Sequence, residues 1–329
     1  MASRAYSAHG LILSGDQHRI GLGGDALQRA VLRGELIRLR RGAYCESDHW
    51  NELDARQRYL LRIRAVVAAA ETPPVLCSWS AAAVWGMPVF DTWPDLVHVL
   101  GAPAAGGRSK NGVRRHPLAR FDHVLGQRPS DAGVPIVERE GLLITGLAHT
   151  TVDVVLDSEF APAVATVDWA LARNNPVAIG SMDVEAELRR RAPRYRRSHA
   201  AAVIGCATRL SDSFGESMAR AVMLQLGFPE PELQVKFTDI HGDMFVDYFW
   251  REQSIVGEFD GATKYLQAEN YGTFSPSEVV WREKKRDDRL RRQVGTTVRI
   301  IWSDVRNPSA LERMLREAGL RPERGRRRG

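Results

Sequence analysis

Cysteine is scarce in this sequence. The 329 residues contain only Cys45, Cys77 and Cys206, an odd number of thiols at wide separations. Zinc sites and disulfide frameworks need cysteines in paired, characteristic spacing. The sequence therefore argues against both, and it favours a reducing compartment, the cytoplasm.

Long apolar runs are also missing. One of the longest, "AVVAAA", covers only residues 65–70, whereas a membrane helix needs about 18–20 apolar residues. The first ten residues, "MASRAYSAHG", lack the apolar stretch of a secretory signal. We therefore expect a cytoplasmic protein with no membrane partner.

Lysine is rare although the chain is basic. The net charge is +6 and the pI is about 9.5, yet only five of the 46 basic residues are lysine. A basic protein favours acidic partners, above all nucleic acid. An Arg-rich and Ala-rich composition is also typical of GC-rich coding, so the net charge alone does not indicate a nucleic-acid partner. The positions of the basic residues along the chain have to indicate it.

The length predicts more than one domain, since a single hydrophobic core rarely serves 329 residues. The patterns of apolar residues indicate an α/β protein (α+β overall). The predicted parts are a winged helix-turn-helix at 1–50, an α+β middle domain at 51–188, a basic linker at 189–205, a mixed sheet flanked by helices at 206–310 and a basic tail at 311–329.

The first fifty residues predict two short helices followed by a wing. Ser14 can cap the first helix, and the glycines of 21–24 end it. Asp25 can cap the second helix, "ALQRAVLRG", and the strand "ELIRLRRGAY" follows at 35–44.

Winged helices bind DNA by placing a helix in the major groove and a basic wing over phosphates. A solvated amphipathic helix followed by a hairpin is the alternative. In the DNA-binding interpretation the contacting residues are Gln28, Arg29 and Arg33 of the second helix and Arg38, Arg40 and Arg41 of the wing.

Three motifs resemble the AbiEi-type antitoxins of type IV toxin–antitoxin systems. They are "LQRAVLRGELIRLRRGAY" (27–44), "LCSWSAAAVWGM" (76–87) and "GLLITGLAHTTVDVV" (141–155), and the resemblance covers roughly residues 8–175. It implies double-stranded DNA as a partner, often for repression of the protein's own operon. It also implies that the middle region contacts a partner, such as a cognate toxin protein.

The middle of the chain contains few other candidates. The glycine-rich loop at 101–116 lacks the order of a P-loop. His116 and His149 show no carboxylate or cysteine at ligand spacing, so we interpret them as core or surface histidines. The run "RRRAPRYRR" (189–197) contains six arginines. It is interpreted either as a solvated linker or as a segment that contacts phosphates.

Carboxylates interrupt an apolar hairpin near the C-terminus. "FVDYFWREQSIVGEFDG" (245–261) alternates with the period of two that is typical of strands. The register of this hairpin would place Asp247 opposite Glu258, and Asp260 follows on the same face. Like charges that face each other destabilise a strand pair. Solvation of an edge strand is one explanation, and a bound cation is another.

The neighbouring segments predict a mixed sheet flanked by helices. Ser213 or Asp212 can cap a helix that carries Glu216 in its first turn. The following segments are a strand "LQVKF" (233–237), the hairpin, a helix "VVWREKKRDDRLRRQ" (279–293), a strand "TVRIIW" (297–302) and a helix from Ser309.

These segments, in this order over residues 208–308, resemble the PD-(D/E)XK nuclease superfamily and its very-short-patch-repair-like branch. The resemblance implies a restriction-endonuclease-like fold in which Asp247 and Glu258 bind Mg²⁺ or Mn²⁺. Such an ion activates water and stabilises the phosphodiester transition state. The superfamily has lysine two residues after the second acid, where this chain has Asp260. Lys264 is the first candidate for the displaced cation, with Lys284 and Arg286 as rivals.

The candidate catalytic residues are therefore Glu216, Asp247, Glu258, Asp260 and Lys264. Three functions remain open at this point. The first is a DNA-binding regulator of antitoxin type that carries a nuclease-like metal site. The second is an active Mg²⁺-dependent DNA endonuclease in defence or repair. The third is an antitoxin that binds and neutralises a nucleotidyltransferase toxin.

Overall fold

The computed structural model describes residues 8–19, 23–101, 109–117, 134–191, 193–261 and 276–323. The chain forms two compact units. The first contains residues 1–154 and 186–191, and the second contains 155–185 and 192–329. The mixed α+β class that the sequence predicts is confirmed, with several small sheets.

The first unit begins with the predicted helix-turn-helix and hairpin. Its elements are β1 (Ile12–Leu13), α1 (Ser14–Arg19), α2 (Gly24–Leu32), β2 (Leu36–Arg40), β3 (Ala43–Glu46), α3 (Ser47–Glu52) and α4 (Ala55–Ala68). The strands form an antiparallel sheet in the order β1-β3-β2.

The strand predicted at 35–44 is two strands, β2 and β3, because the chain turns back at Gly42, where φ is +81°. Leu27 and Ala30 of α2 are buried, as expected from their spacing. Asp25 does not cap α2. Gly23 is the N-cap residue, and Asp25 lies in the first turn, where its charge favours the helix dipole.

Two further sheets complete the first unit. The elements are α5 (Ser78–Trp85), β4 (Val97–Gly101), β5 (Ser109–Lys110), β6 (Val113–Pro117), β7 (Ile136–Arg139), β8 (Leu142–Thr145) and α6 (Leu147–Asp157). β6 lies between β4 and β5, and β7 pairs with β8. Leu76 bridges both β4 and β8 through its backbone.

The second unit places helices around a four-stranded sheet. Its elements are α7 (Phe160–Leu171), α8 (Ser181–Arg191), α9 (Arg197–Cys206), α10 (Phe214–Gln225), β9 (Glu232–Asp239), β10 (Gly242–Trp250), β11 (Ile255–Asp260), α11 (Pro276–Arg291), β12 (Thr296–Ile301), α12 (Trp302–Arg306) and α13 (Pro308–Glu317). The division between the two units falls within α6, after Val154, and within α8, after Glu185.

The sheet has the order β12-β11-β10-β9. The strands β9, β10 and β11 form an antiparallel meander, and β11 pairs with β12 in parallel. A parallel pair needs a crossover connection, and α11 lies in that connection. From α10 to the final helix, this is the order of helices and strands that the sequence predicts, with the short α12 added.

The basic segment at 189–205 is folded into helices. α8 extends to Arg191, a 3-10 turn covers Arg194–Arg196, and α9 begins at Arg197. The guanidinium of Arg196 donates to the backbone oxygens of Leu156 and Ser158. This arginine satisfies carbonyls at the C-terminal end of α6, so its charge is used within the fold.

None of the helices in the described ranges is long and apolar enough to cross a membrane.

Candidate functional site

Glu216 is held by the N-terminus of α10. Ser213, and not Asp212, is the N-cap residue: its hydroxyl accepts the Glu216 backbone N–H at 3.2 Å and donates to Oε1 of Glu216 at 2.7 Å. The backbone N–H of Asp212 donates to Oε2 at 3.0 Å. The side chain therefore folds back over its own helix end, and Glu216 is 6% exposed.

A close approach of α10 to the sheet brings this carboxyl to the strands. A Cβ atom at Gly215 would lie 2.1 Å from a ring carbon of Phe259 on β11. A larger residue would push α10 away from the strand. The hydroxyl of Tyr248 on β10 also donates to the Glu216 backbone oxygen at 2.8 Å.

Gln234 of β9 joins Glu216 to Asp247. Its amide Nε2 lies 3.0 Å from Oε2 of Glu216 and 3.5 Å from Oδ1 of Asp247. Gln234 has φ of +50°, a rare backbone conformation for a non-glycine residue. Such outliers concentrate at functional sites. Two acids that are far apart in sequence therefore meet at one amide group.

Asp247 lies where the hairpin ladder ends. The pairing of β10 with β11 runs from Trp250↔Ile255 to Tyr248↔Gly257, and the carboxylate Oδ2 of Asp247 accepts the backbone N–H of Phe259 at 2.7 Å. The side chain thus takes the place of a backbone acceptor. Continued by one residue on each strand, this register brings Asp247 opposite Glu258, which is the arrangement that the alternation in the sequence predicts.

The Glu216–Asp247 pair is electrostatically strained. Burial, and next the charge of Asp247, raise the pKa of Glu216 to about 7, although hydrogen bonds from Ser213 and Asp212 act in the opposite direction. A carboxyl group with this pKa changes charge near neutral pH. A cation between the two groups would relieve the repulsion, and strongly shifted groups of this kind are frequent at functional sites.

Glu258 and Asp260 are neutralised by arginines. Oε1 of Glu258, which is 8% exposed, lies 2.6 Å from Nη2 of Arg286 on α11. Nη1 of Arg299 on β12 lies 3.5 Å from Oδ2 of Asp260, and its Nη2 lies 4.0 Å from Oε2 of Glu258. The burial of Glu258 is therefore compensated by a guanidinium group.

Of the candidate cations, Arg286 is the one that contacts the acids. Lys264 lies outside the described residues, and the Lys284 side chain is exposed. Sequence reasoning named Arg286 only as a rival, and it missed Gln234 and Arg299. Gln234 and Arg299 each lie between apolar neighbours in a strand, but their partners depend on sheet register, which single-strand patterns do not reveal.

Two of the acidic residues, Glu216 and Asp247, fit a divalent ion that keeps several of its waters. Within the ranges that the structure describes, no group of three or more His, Cys, Asp or Glu side chains is placed to bind a metal ion. Mg²⁺ is often held by one or two carboxylates, with waters completing its octahedral shell. Glu216 and Asp247 offer such a pair, whereas the expected ligand Glu258 is bonded to Arg286.

The predicted DNA-contacting residues lie on α2 and the β2–β3 hairpin. Gln28, Arg29, Arg38 and Arg41 are exposed. Arg33 forms an ion pair with Glu35 at 2.6 Å, and Arg40 is half-buried. The hairpin therefore offers two exposed arginines for phosphate contact, and Arg40 lies partly inside the fold.

The two histidines that the sequence left without roles have partners in the first unit. His149 is a core histidine, as expected, but the inference that it lacks carboxylate neighbours is wrong. Its Nδ1 lies 2.8 Å from Oε1 of Glu187, and its Nε2 lies 3.9 Å from Oδ2 of Asp153, four residues later on α6. That spacing was visible in the sequence. His116 bonds to His98 with 3.0 Å between ring nitrogens.

Comparisons with known proteins give similarity without a function. No protein-family model matches the sequence. Two uncharacterized Mycobacterium tuberculosis proteins, MT2308 of strain CDC 1551 and Rv2248 of strain H37Rv, are each 29% identical to this chain over 281 residues, 84% of this chain and 89% of theirs. A crystal structure of the RV2827C protein from M. tuberculosis aligns with a TM-score of 0.35 and 15% identity, over 62% of this chain and 78% of that one.

Proposed function

We propose that this protein binds double-stranded DNA, as a regulator of antitoxin type, and that its second unit carries a nuclease-type site for Mg²⁺ or Mn²⁺. The observation that carries the proposal is the cluster of Glu216, Gln234 and Asp247. Two acids from different elements meet there, and burial together with the charge of Asp247 raises the pKa of Glu216 to about 7.

Each residue of the cluster has a distinct role in the proposal. The Phe259 backbone N–H orients Asp247, and Ser213 with the Asp212 backbone orients Glu216. Gln234 fixes the two carboxyl groups relative to each other. A divalent ion bound there would supply an activated water and neutralise a phosphodiester.

Arg286 is the residue that we propose in place of the missing motif lysine. It already lies at Glu258, and it belongs to α11, which packs on the sheet through Leu290. A guanidinium group in this position can balance negative charge that develops on a phosphate. Lys264 remains a candidate for the same role.

Binding to DNA would place the protein in the cytoplasm. The three cysteines are all buried free thiols within the described part of the chain. Free thiols are usual in the reducing environment that we propose.

The test is a plasmid-nicking assay in Mg²⁺ or Mn²⁺. Asp247→Asn should lower the nicking rate by roughly 10²–10³, the scale of one lost preorganised electrostatic contact. The asparagine oxygen can still accept the Phe259 N–H, so the hairpin should remain intact. Asp243→Asn is the matched control. Asp243 lies on the same strand but is exposed and paired with Lys236, so its replacement should leave nicking unchanged.

The same variants test metal binding when no DNA is cut. Mg²⁺ or Mn²⁺ should raise the melting temperature of the wild-type chain, because only the folded state assembles the two-carboxylate site. Asp247→Asn should abolish this rise, and Asp243→Asn should keep it. Wild-type protein that neither nicks plasmid nor responds to either ion would contradict the proposed metal site.

The DNA-binding part is tested on the wing. Combining Arg38→Ala, Arg40→Ala and Arg41→Ala should weaken duplex binding and reduce the slope of log K against log[salt] by about 2, roughly one for each of the two exposed arginines. The readout is fluorescence anisotropy with a labelled duplex across a salt series. Removing the same charge from the second unit, by Arg306→Ala, Arg313→Ala and Arg316→Ala, should change the slope much less. Equal effects of the two triple variants would refute a specific role for the wing.

A further inference from the structure

A basic pocket lies behind the wing strand β2, within the first unit. Its volume is about 160 Å³. Within the described ranges, three guanidinium groups and one carboxylate line it. The residues used in the following argument are Arg38, Arg40, Trp50, Arg62 and Asp95.

Arg40 points to a missing partner. Its Nε atom is buried and, among the residues that the structure describes, has no hydrogen-bond partner. Buried polar atoms in folded proteins nearly always have a partner, and each exception calls for an explanation such as a bound ion. The N–H of a guanidinium is a strong donor that only an acceptor can satisfy. Arg40, which lines the pocket, therefore has donor capacity that the described residues do not satisfy.

Arg62 of α4 also lines the pocket, and its guanidinium is held in place. Its guanidinium carbon lies 5.6 Å from the centroid of the Trp50 ring, at cation–π distance. Its ion pair with Asp95 measures 3.1 Å, but the Asp95 side chain is 95% exposed. A pair with so exposed a carboxylate is weak, so Arg62 can exchange it for a better acceptor.

We infer that this pocket binds a small phosphate-type anion between Arg40 and Arg62. Guanidinium groups bind oxyanions through parallel N–H···O bonds, and several of them around one cavity favour a tetrahedral dianion. The volume resembles that of an engineered cavity of 150 Å³ that admits benzene, which leaves room for a phosphate with a small substituent. The inference rests on the pocket alone and does not depend on the proposed metal site.

Isothermal titration of the full chain with inorganic phosphate, at constant ionic strength set by chloride, tests the inference. Wild type should show saturable binding. Arg40→Met and Arg62→Met keep the aliphatic stems and remove the charge, and each should weaken binding about tenfold or more, the scale of one lost hydrogen bond to a charged group. Arg64→Met is the matched control. Arg64 is also on α4, but it pairs with Glu140 away from the pocket, so phosphate affinity should be unchanged.

The phosphate can come from a free metabolite or from the backbone of DNA lying on the wing, and duplex binding separates the two sources. If the pocket takes a free anion, Arg62→Met leaves duplex affinity at the wild-type value. If it takes a backbone phosphate, Arg62→Met weakens duplex binding and inorganic phosphate competes with the duplex. Wild type without saturable phosphate binding, or equal binding by wild type and a folded Arg62→Met variant, would overturn the inference. Circular dichroism establishes that the variants are folded.

Discussion

Asp168→Ala is expected to lower the free energy of unfolding of the second unit by about 3–5 kcal/mol. Asp168 on α7 and Arg220 on α10 are each 1% exposed, and Oδ2 of Asp168 lies 2.9 Å from Nη2 of Arg220. The backbone N–H of Thr208 donates to Oδ1 of Asp168 at 2.7 Å. Removing the carboxylate leaves the buried Arg220 charge with only the more exposed Glu230, at 3.4 Å, as an acidic partner. Urea denaturation, followed by circular dichroism, measures the change in midpoint.

The energetics of the pair also predict a rescue. Burial raises the pKa of Asp168 above its usual value, even though the Arg220 charge lowers it. Desolvation therefore outweighs attraction, so Asp168→Leu combined with Arg220→Met should recover most of the lost stability. Glu232→Ala is the exposed comparison. It breaks the surface pair with Arg251 and should lower the stability far less than Asp168→Ala, because an exposed pair is screened by solvent. An equal cost for Asp168→Ala and Glu232→Ala would refute the argument.

This ion pair bears on how the segment predicted as a domain at 206–310 folds. Arg220 also donates to the Cys206 backbone oxygen at 2.6 Å, and its partner Asp168 lies before the segment predicted as a domain at 206–310. A fragment that begins at residue 206 would keep Arg220 but lose its buried carboxylate partner, leaving only the contact of 3.4 Å with the more exposed Glu230. Fragments for biophysical work should therefore include α7.

Glu216→Gln is expected to stabilise the second unit by about 3 kcal/mol above pH 7. The Glu216 pKa is about 7 in the folded protein, against 4.5 as its ordinary value. Between these values the folded protein keeps a proton that the unfolded chain has released, so stability falls as the pH rises through this window and remains low above it. A shift of about 2.5 units corresponds to about 3 kcal/mol. Glutamine removes the charge, and its amide can still pair with Ser213 and the Asp212 N–H.

Urea midpoints measured between pH 4 and pH 8.5 check this prediction. The wild-type curve should fall between about pH 4.5 and 7 relative to the curve of Glu216→Gln, and the two should converge at low pH. Glu252→Gln, in the exposed β10–β11 turn, should follow the wild type. Added Mg²⁺ should reduce the difference in urea midpoint between wild type and Glu216→Gln at pH 8, because a cation would relieve the repulsion between Glu216 and Asp247. Parallel wild-type and Glu216→Gln curves would contradict the raised pKa.

The sequence by itself determined the order of elements in the N-terminal helix-turn-helix with its hairpin and in the segment from α10 to the final helix. Caps and periodicity are local properties: Ser213 begins α10 at the expected place, Leu27 and Ala30 face inward, and β10 and β11 form the expected hairpin. The alternation of residues also placed Asp247 and Glu258 at adjoining positions of one ladder. These features need only the geometry of a helix or a strand pair.

Only the tertiary structure decided which charges meet. The Asp168–Arg220 pair joins two helices, Gln234 reaches Glu216 across an element boundary, and Arg286 comes to Glu258 from α11. Each contact depends on how far one element is displaced along another, which the period of a single segment does not encode. The sequence showed carboxylates that needed a cation. The packing of α11 on the sheet brought Arg286 to Glu258. The close approach of α10 brought Glu216 to Asp247, and it is possible because Gly215, which has no side chain, lets the helix lie against Phe259.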